Sequence, residues 1–358
     1  MTKNRVCIIG QFPPPLHGLS IALQTIVNSE EIKEKYVVEN IDIKNNKRII
    51  SNLFKIVKTD ADLYYFTISQ SLFGNLRDML ILKLILIKKK KVVIHYHGGY
   101  YKKLYDKMNI FQKKINKVLI SKIDIMIALS NGLKKLFVDV INPEKVRVCE
   151  NYIEDSSIMS DDEFKDKLAT IKNKDKIEVL YLSNFIESKG YKEVLKAASN
   201  FKDQQVLFHF AGAFFEKKDE VDFMQFIEEN RLQSVVKYHG VVRGAHKKTL
   251  LMQSNIFVLP TYYPNEGQPI SIIEAMGNGL MILTTSHAGI PDIVNENNGF
   301  LINPKAPDEI VNCLNHMLLN KDTLISFARE NRKVTLEKFR EIHYLERIQS
   351  IFDEVLEK

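Results

Sequence analysis

The sequence predicts an α/β protein built from two doubly wound parallel sheets. Three observations predict it: short β-rich runs alternate with helical patterns from the start, the alternation lapses in a polar stretch near the middle, and it then resumes. In the first half the runs 5–10, 37–43, 63–68, 92–97, 124–129 and 146–150 read as strands, with helical periodicity between them. The polar stretch 154–176 carries Asp-Ser-Ser and Lys-Asn-Lys-Asp clusters. Beyond it, 177–183, 206–211, 235–239, 256–260 and 281–284 read as the strands of a second sheet. Residues 306–358 are helical by periodicity and hold no strand candidate. The expected organisation is a Rossmann-like domain over 1–155, a linker over 156–176, a second Rossmann-like domain over 177–338, and a helix over 339–358 that caps the second domain or runs back to the first. A chain of 358 residues is long enough for two separate cores. Two such sheets facing each other would leave a cleft at the carboxyl ends of their strands, where open α/β sheets take ligands.

Composition narrows the classes. With 45% hydrophobic and 27% charged residues, the chain has the balance of a folded globular protein rather than a disordered one. The most apolar stretch, 79–87, is short and interrupted by Lys83, so no bilayer-spanning helix is expected. The start has no apolar signal core, and export is not expected. Cys7, Cys149 and Cys313 lie far apart, without the paired spacing of a zinc site or disulfide framework, which fits a reducing cytoplasm. Charge is uneven: residues 71–122 hold thirteen Lys/Arg against Asp78 and Asp106, a local excess of eleven within a chain whose formal net charge is +7. Lysines interleaved with aromatics suit an anionic membrane surface, and no nucleic-acid motif accompanies them. The plainer alternative is a solvated helical face.

The most informative stretch runs from Asn255 to Gly279. It reads as a buried strand, a loop ending in Glu266-Gly267-Gln268-Pro269, and a helix that begins near Pro269, where a proline costs no hydrogen bond. The amides of such a helix start suit a phosphate. Glu266 in the loop and Glu274 in the helix supply carboxylates that accept hydrogen bonds from sugar hydroxyls. Elsewhere, Ile8 to Ser20 places a proline-stiffened loop with His17 and Gly18 between a strand and a helix, without a G-x-G-x-x-G fingerprint. Lys91 to Gly99 puts His95 and His97 on one face of a strand.

Glu266-x7-Glu274, then Ala-Met-Gly-Asn-Gly and Ala288-Gly289-Ile290-Pro291-Asp292, resembles the donor-site signature of the family-four retaining glycosyltransferases of GT-B fold. The resemblance is close over 177–300 and looser over 1–151. It implies that Glu274 holds the ribose hydroxyls, that Glu266 lies against the donor sugar, and that backbone amides from Gly267 to Ile270 reach sugar and diphosphate. Lys189 in Ser183 to Gly190 matches the family's lysine and would meet diphosphate charge, whereas Asn184 stands where the family has an arginine, and Arg243 is a candidate substitute. His97 matches the family's histidine near the anomeric carbon, and Gly18 the glycine that lets backbone approach the donor. His17 either contacts acceptor or phosphate or caps its turn. Asn151 matches an asparagine that closes the family's first domain.

The resemblance therefore implies a retaining glycosyltransferase of surface-polysaccharide synthesis. It would use a nucleotide-sugar donor and a glycan or lipid-linked oligosaccharide acceptor, with no cofactor and no bound metal, peripherally at the inner face of the cell membrane. The rival readings are a nucleotide-sugar epimerase of the same fold and a non-catalytic glycan-binding protein.

Overall fold

The computed structural model describes residues 3–14, 18–173, 175–202 and 205–357. The chain forms two compact units. The first comprises Met1–Asn151, Asn265–Gln268 and Ile342–Lys358, and the second Tyr152–Pro264 and Pro269–Glu341.

The first unit is a six-stranded parallel sheet of β1 (Arg5–Gly10), β2 (Val37–Asp42), β3 (Leu63–Thr67), β4 (Lys91–His95), β5 (Ile125–Ala128) and β6 (Val146–Val148), in the order β2-β1-β3-β4-β5-β6. Its central strands are buried along their length, which is why they read as continuous apolar runs. The helices are α1 (Gly18–Asn28), α2 (Glu30–Lys35), α3 (Ile49–Lys58), α4 (Leu72–Ile87), α5 (Tyr101–Lys107) and α6 (Ile110–Ile120). The chain's last helix, numbered α14 below (Glu341–Leu356), also packs here through Phe352, which meets the rings of Tyr36 and Tyr65 edge-on at 5.7 Å each. At its exposed edge, Arg147 grips Glu354 through two nitrogens, at 2.9 and 2.6 Å.

The second unit is another six-stranded parallel sheet, of β7 (Ile177–Leu182), β8 (Val206–Ala211), β9 (Val236–Tyr238), β10 (Ile256–Leu259), β11 (Met281–Thr285) and β12 (Gly299–Ile302), in the order β12-β11-β10-β7-β8-β9. Its helices are α7 (Asp161–Asn173), α8 (Tyr191–Ala198), α9 (Lys217–Glu229), α10 (Gly244–Gln253), α11 (Ile270–Gly277), α12 (Pro307–Leu319) and α13 (Lys321–Lys338), with α14 following. Strand order reverses between β7 and β10, and in the first unit between β1 and β3. These are the switch points at which open α/β sheets leave room for ligands.

Two expectations need correction. The edge strand β12 was not legible as a strand. It pairs with β11 so closely that a Cβ on Gly299 would lie 2.1 Å from the Ile282 carbonyl oxygen. The stretch 156–176 is not a linker, because its helix α7 is part of the second unit. Arg332 of α13 donates to the Met159 carbonyl at 3.0 Å and to Asp161 at 2.8 Å, and its guanidinium lies 4.8 Å from the ring centre of Phe164. Asn278, at the end of α11, accepts from the Met159 amide at 3.0 Å and donates to the Ser157 carbonyl at 2.9 Å.

Lys167 of α7 is buried and donates to the carbonyls of Leu251 and Asn278, at 3.0 and 2.7 Å. Burial holds its pKa well below the ordinary lysine value, with Glu178 opposing that effect and Arg332 adding to it. A base whose folded pKa lies below its unfolded one contributes stability above the unfolded pKa and loses it as pH falls. Lys167→Met is therefore expected to cost about 1–3 kcal/mol at alkaline pH, where two carbonyls lose their donor. The gap to wild type should narrow as pH falls from about 10 toward neutrality. Paired thermal melts across that range check it.

Candidate functional site

In the second unit the site grows from the β7/β10 switch point. After β7 the chain turns through Ser183 to Lys189 into Gly190, which has φ +81°. A Cβ there would lie 2.5 Å from Pro260 Cγ and 2.6 Å from the Pro260 carbonyl oxygen, so the turn sits directly against the end of β10. The Tyr262 amide donates to the Ser188 carbonyl at 2.7 Å, and Lys189 Nζ lies 5.0 Å from the ring centre of Tyr263. The structure thus brings Lys189 to the loop that follows β10. From β11, Thr284 donates to the Leu259 carbonyl at 2.7 Å and Thr285 to that of Thr261, while the His287 ring nitrogen lies 2.8 Å from the Tyr263 carbonyl. The loop after β10 is therefore fastened by both flanking strand ends.

Helix α11 follows, with Pro269 as its N-cap and no capping hydrogen bond from that side chain. Glu274 lies in its second turn, buried, with Oε1 2.5 Å from Lys247 Nζ of α10. Burial raises the Glu274 pKa above the ordinary carboxylate value; Lys247 pulls it down, and Glu154 pushes it up. Lys247 is a partner of Glu274 that the sequence did not disclose. It pairs across 27 residues, and α10 carries no motif to mark it. Asn184, in the position of the family's arginine, is exposed, and its carbonyl accepts from the Tyr181 hydroxyl at 3.2 Å and the Ile186 amide at 2.9 Å. Arg243 is exposed at the N-cap of α10, one turn before Lys247.

The first unit carries the remaining described candidates. His95 is fully buried, its Nδ1 is 2.5 Å from the Tyr65 hydroxyl, and burial drives its pKa well below the ordinary histidine value, with His97 contributing. His95 is thus packed as a neutral ring. The His97 ring lies on it, centroids 3.9 Å apart. The Gln70 side-chain amide donates to the His97 carbonyl at 2.9 Å and fills the space beside Gly98, where a Cβ would lie 2.3 Å from it.

The segment Asn265–Gln268 packs on this strand end. A Cβ on Gly267 would lie 3.0 Å from Gly98 Cα and 2.9 Å from Leu129 Cδ1, so the two backbones meet where only glycines allow it. Asn151 locks the segment: its backbone amide donates to Gln268 Oε1 and its side chain to the Gln268 carbonyl, both at 2.8 Å. Glu266 and Gln268 are buried beside it. The structure thus gathers His97, Glu266, Gly267, Gln268 and Asn151 in the first unit; in the second, Pro269, Ile270 and Glu274 lie at or in α11 and Lys189 lies against the loop after β10. Gly18 opens α1. His17 lies outside the described residues.

The chain is similar in sequence and fold to known proteins. Residues 162–334 match the model of the family described as glycosyl transferases group 1. WcaL of Escherichia coli (strain K12), named for colanic acid biosynthesis, is 27% identical over 135 residues, which is 35% of this chain and 32% of WcaL; the match spans about a third of that relative. The glycosyltransferase MJ1069 of Methanocaldococcus jannaschii is 22% identical over 336 residues, 91% of this chain and 83% of MJ1069. Among solved structures, HepE of Anabaena in complex with UDP superposes with a TM-score of 0.77 at 17% identity, over 98% of this chain and 100% of HepE, a likeness of fold. Two parallel sheets of this build, flanked by helices, are those of the GT-B fold, and residues 162–334 are similar to the group 1 glycosyl transferases.

Proposed function

We propose that the chain transfers a sugar, with retention of configuration, from a nucleotide-sugar to a lipid-linked glycan acceptor in cytoplasmic surface-polysaccharide synthesis. The observation that carries the donor assignment is the ion pair of buried Glu274 in α11 with Lys247 of α10, in the unit whose strand order reverses at β7 and β10. In this reading the ribose hydroxyls donate to Glu274. The diphosphate takes the amides at the start of α11 and the charge of Lys189, which also meets the negative charge that grows as the diphosphate leaves, without a metal ion. By the resemblance, His97 and Glu266 are assigned to the donor sugar. Support comes from HepE, whose structures hold UDP and UDP-glucose, and from WcaL, named for the synthesis of a polysaccharide.

A panel of UDP-, GDP- and ADP-sugars tests the reading. A donor at a hundred times its Kd raises folding stability by about 2.7 kcal/mol, so one nucleotide class is expected to raise the melting temperature. With that donor, NMR of the product is expected to show the anomeric configuration of the donor retained in a new glycosidic bond. No stabilisation by any donor would overturn the donor assignment. Conversion of the donor to an epimer without transfer would overturn the reaction.

A further inference from the structure

Helices α3, α4 and α6 of the first unit expose large apolar side chains as well as burying them. They pack side by side, and beside buried apolar residues such as Ile56, Ile81, Leu82 and Ile120 they hold a buried polar seam: Asn75 donates to Asn116 at 2.8 Å, Gln112 to the Leu72 carbonyl at 3.1 Å and Asn75 at 2.9 Å, and Asn52 of α3 to the Asp42 carbonyl at 3.1 Å. The Gln112 bond to Leu72 places the N-terminal ends of α4 and α6 together. Among the lysines on their outward side stand large apolar side chains. Ile50 and Phe54 project from α3, Phe73 and Leu80 from α4, and Ile110 and Phe111 from α6, with Phe73 88% and Ile110 87% exposed. Exposed apolar side chains in one contiguous layer mark a surface that something covers.

The charges say what covers it. None of the three helices exposes a carboxylate: α3 and α6 contain none, and the single one in α4, Asp78, is buried against Arg77 at 2.8 Å. Lys83, Lys114 and Lys117 are exposed on the same helices, and none of them has an ion-pair partner among the described residues. Not all of the basic segment 71–122 takes part. Lys90 pairs with Asp60 and Asp62 at 3.1 and 3.6 Å, Lys91 with Asp124 at 3.5 Å, and Lys102 with Asp106 and Asp139 at 2.8 and 2.9 Å. A second copy docked through this face would oppose lysine to lysine. An anionic bilayer surface supplies both complements, acyl chains for the aromatics and headgroup charge for the lysines.

We propose that the outward face of α3, α4 and α6 seats on an anionic phospholipid surface, α3 and α6 flanking α4. This rests on the first unit alone and is independent of the donor assignment. The test is sedimentation with phosphatidylcholine vesicles and with vesicles containing phosphatidylglycerol, at low and high salt. Wild type is expected to bind the anionic vesicles and to be weakened by salt. Phe73→Ser/Phe111→Ser is expected to lose binding with no loss of melting temperature. Lys114→Gln/Lys117→Gln is expected to weaken it roughly 30-fold, equivalent to about 1 kcal/mol for each lysine. Two results would overturn the proposal. One is equal or absent recovery on both vesicle types. The other is a lipid-free dimer that Phe73→Ser/Phe111→Ser dissociates.

Discussion

Glu274→Ala is expected to weaken nucleotide-diphosphate binding roughly 10- to 100-fold, the equivalent of the about 1.5–3 kcal/mol that hydrogen bonds to a charged acceptor contribute. The variant loses the acceptor for the ribose diol and also leaves Lys247 with no carboxylate beside it. Calorimetry with the preferred nucleotide measures the loss, and pH separates the role in binding from one in folding. Because burial raises the Glu274 pKa, the ionised form is the one depleted as pH falls through the mildly acid range above the ordinary carboxylate value. Donor affinity should therefore fall as pH falls. The contribution of Glu274 to the stability of the free protein should run the other way, because a carboxylate with a raised folded pKa stabilises in acid and loses that contribution as pH rises through the folded pKa. Glu274→Gln should flatten both trends. A pH-independent affinity in the wild type would remove Glu274 from the ribose.

The second large effect is expected at Gly190. An alanine there must adopt φ +81°, which costs about 1–2 kcal/mol, and must also push its Cβ against Pro260, for about 1–3 kcal/mol more. Together these should lower stability by about 3 kcal/mol and the melting temperature by roughly 6–12 °C in a unit of this size. Because the turn also carries Lys189, binding of a nucleoside diphosphate should weaken more than binding of the bare nucleoside. Lys189→Ala is the control. It should reproduce the diphosphate-specific loss, with the melting temperature of the free protein changed little. If Gly190→Ala melts like wild type, the turn does not press on Pro260 as described.

The sequence made the interior strands legible because parallel strands covered on both faces are written as uninterrupted apolar runs. Strand β12 lacked that signature. It lies at a sheet edge, opens with a glycine, and owes its identity to pairing with β11. Helix α7 was hidden by its charged composition. Phe164, Leu168 and Ile171 do recur at helical spacing in it, but the residues that tie it down, Arg332 and Asn278, lie more than a hundred positions away. The two glutamates and Lys189 could be singled out because their neighbours form a recognisable local pattern. Lys247 was not, because a partner across 27 residues leaves no mark in sequence order. The basic run was equally ambiguous: only the folded chain separates lysines turned toward Asp60, Asp62 and Asp124 from those left on the face of α4 and α6.

The placement of α14 bears on the order in which the protein is made. Residues near the start of the chain, Tyr36 on the approach to β2 and Tyr65 in β3, receive their cover from Phe352, near its end. A ribosome releases the chain from its N-terminus, and domains generally fold as they emerge. The first unit therefore begins first and finishes last, open on the Tyr36 and Tyr65 side until the residues after Ile342 have been made. A nascent chain stalled before that point would expose aromatic surface that the finished protein hides.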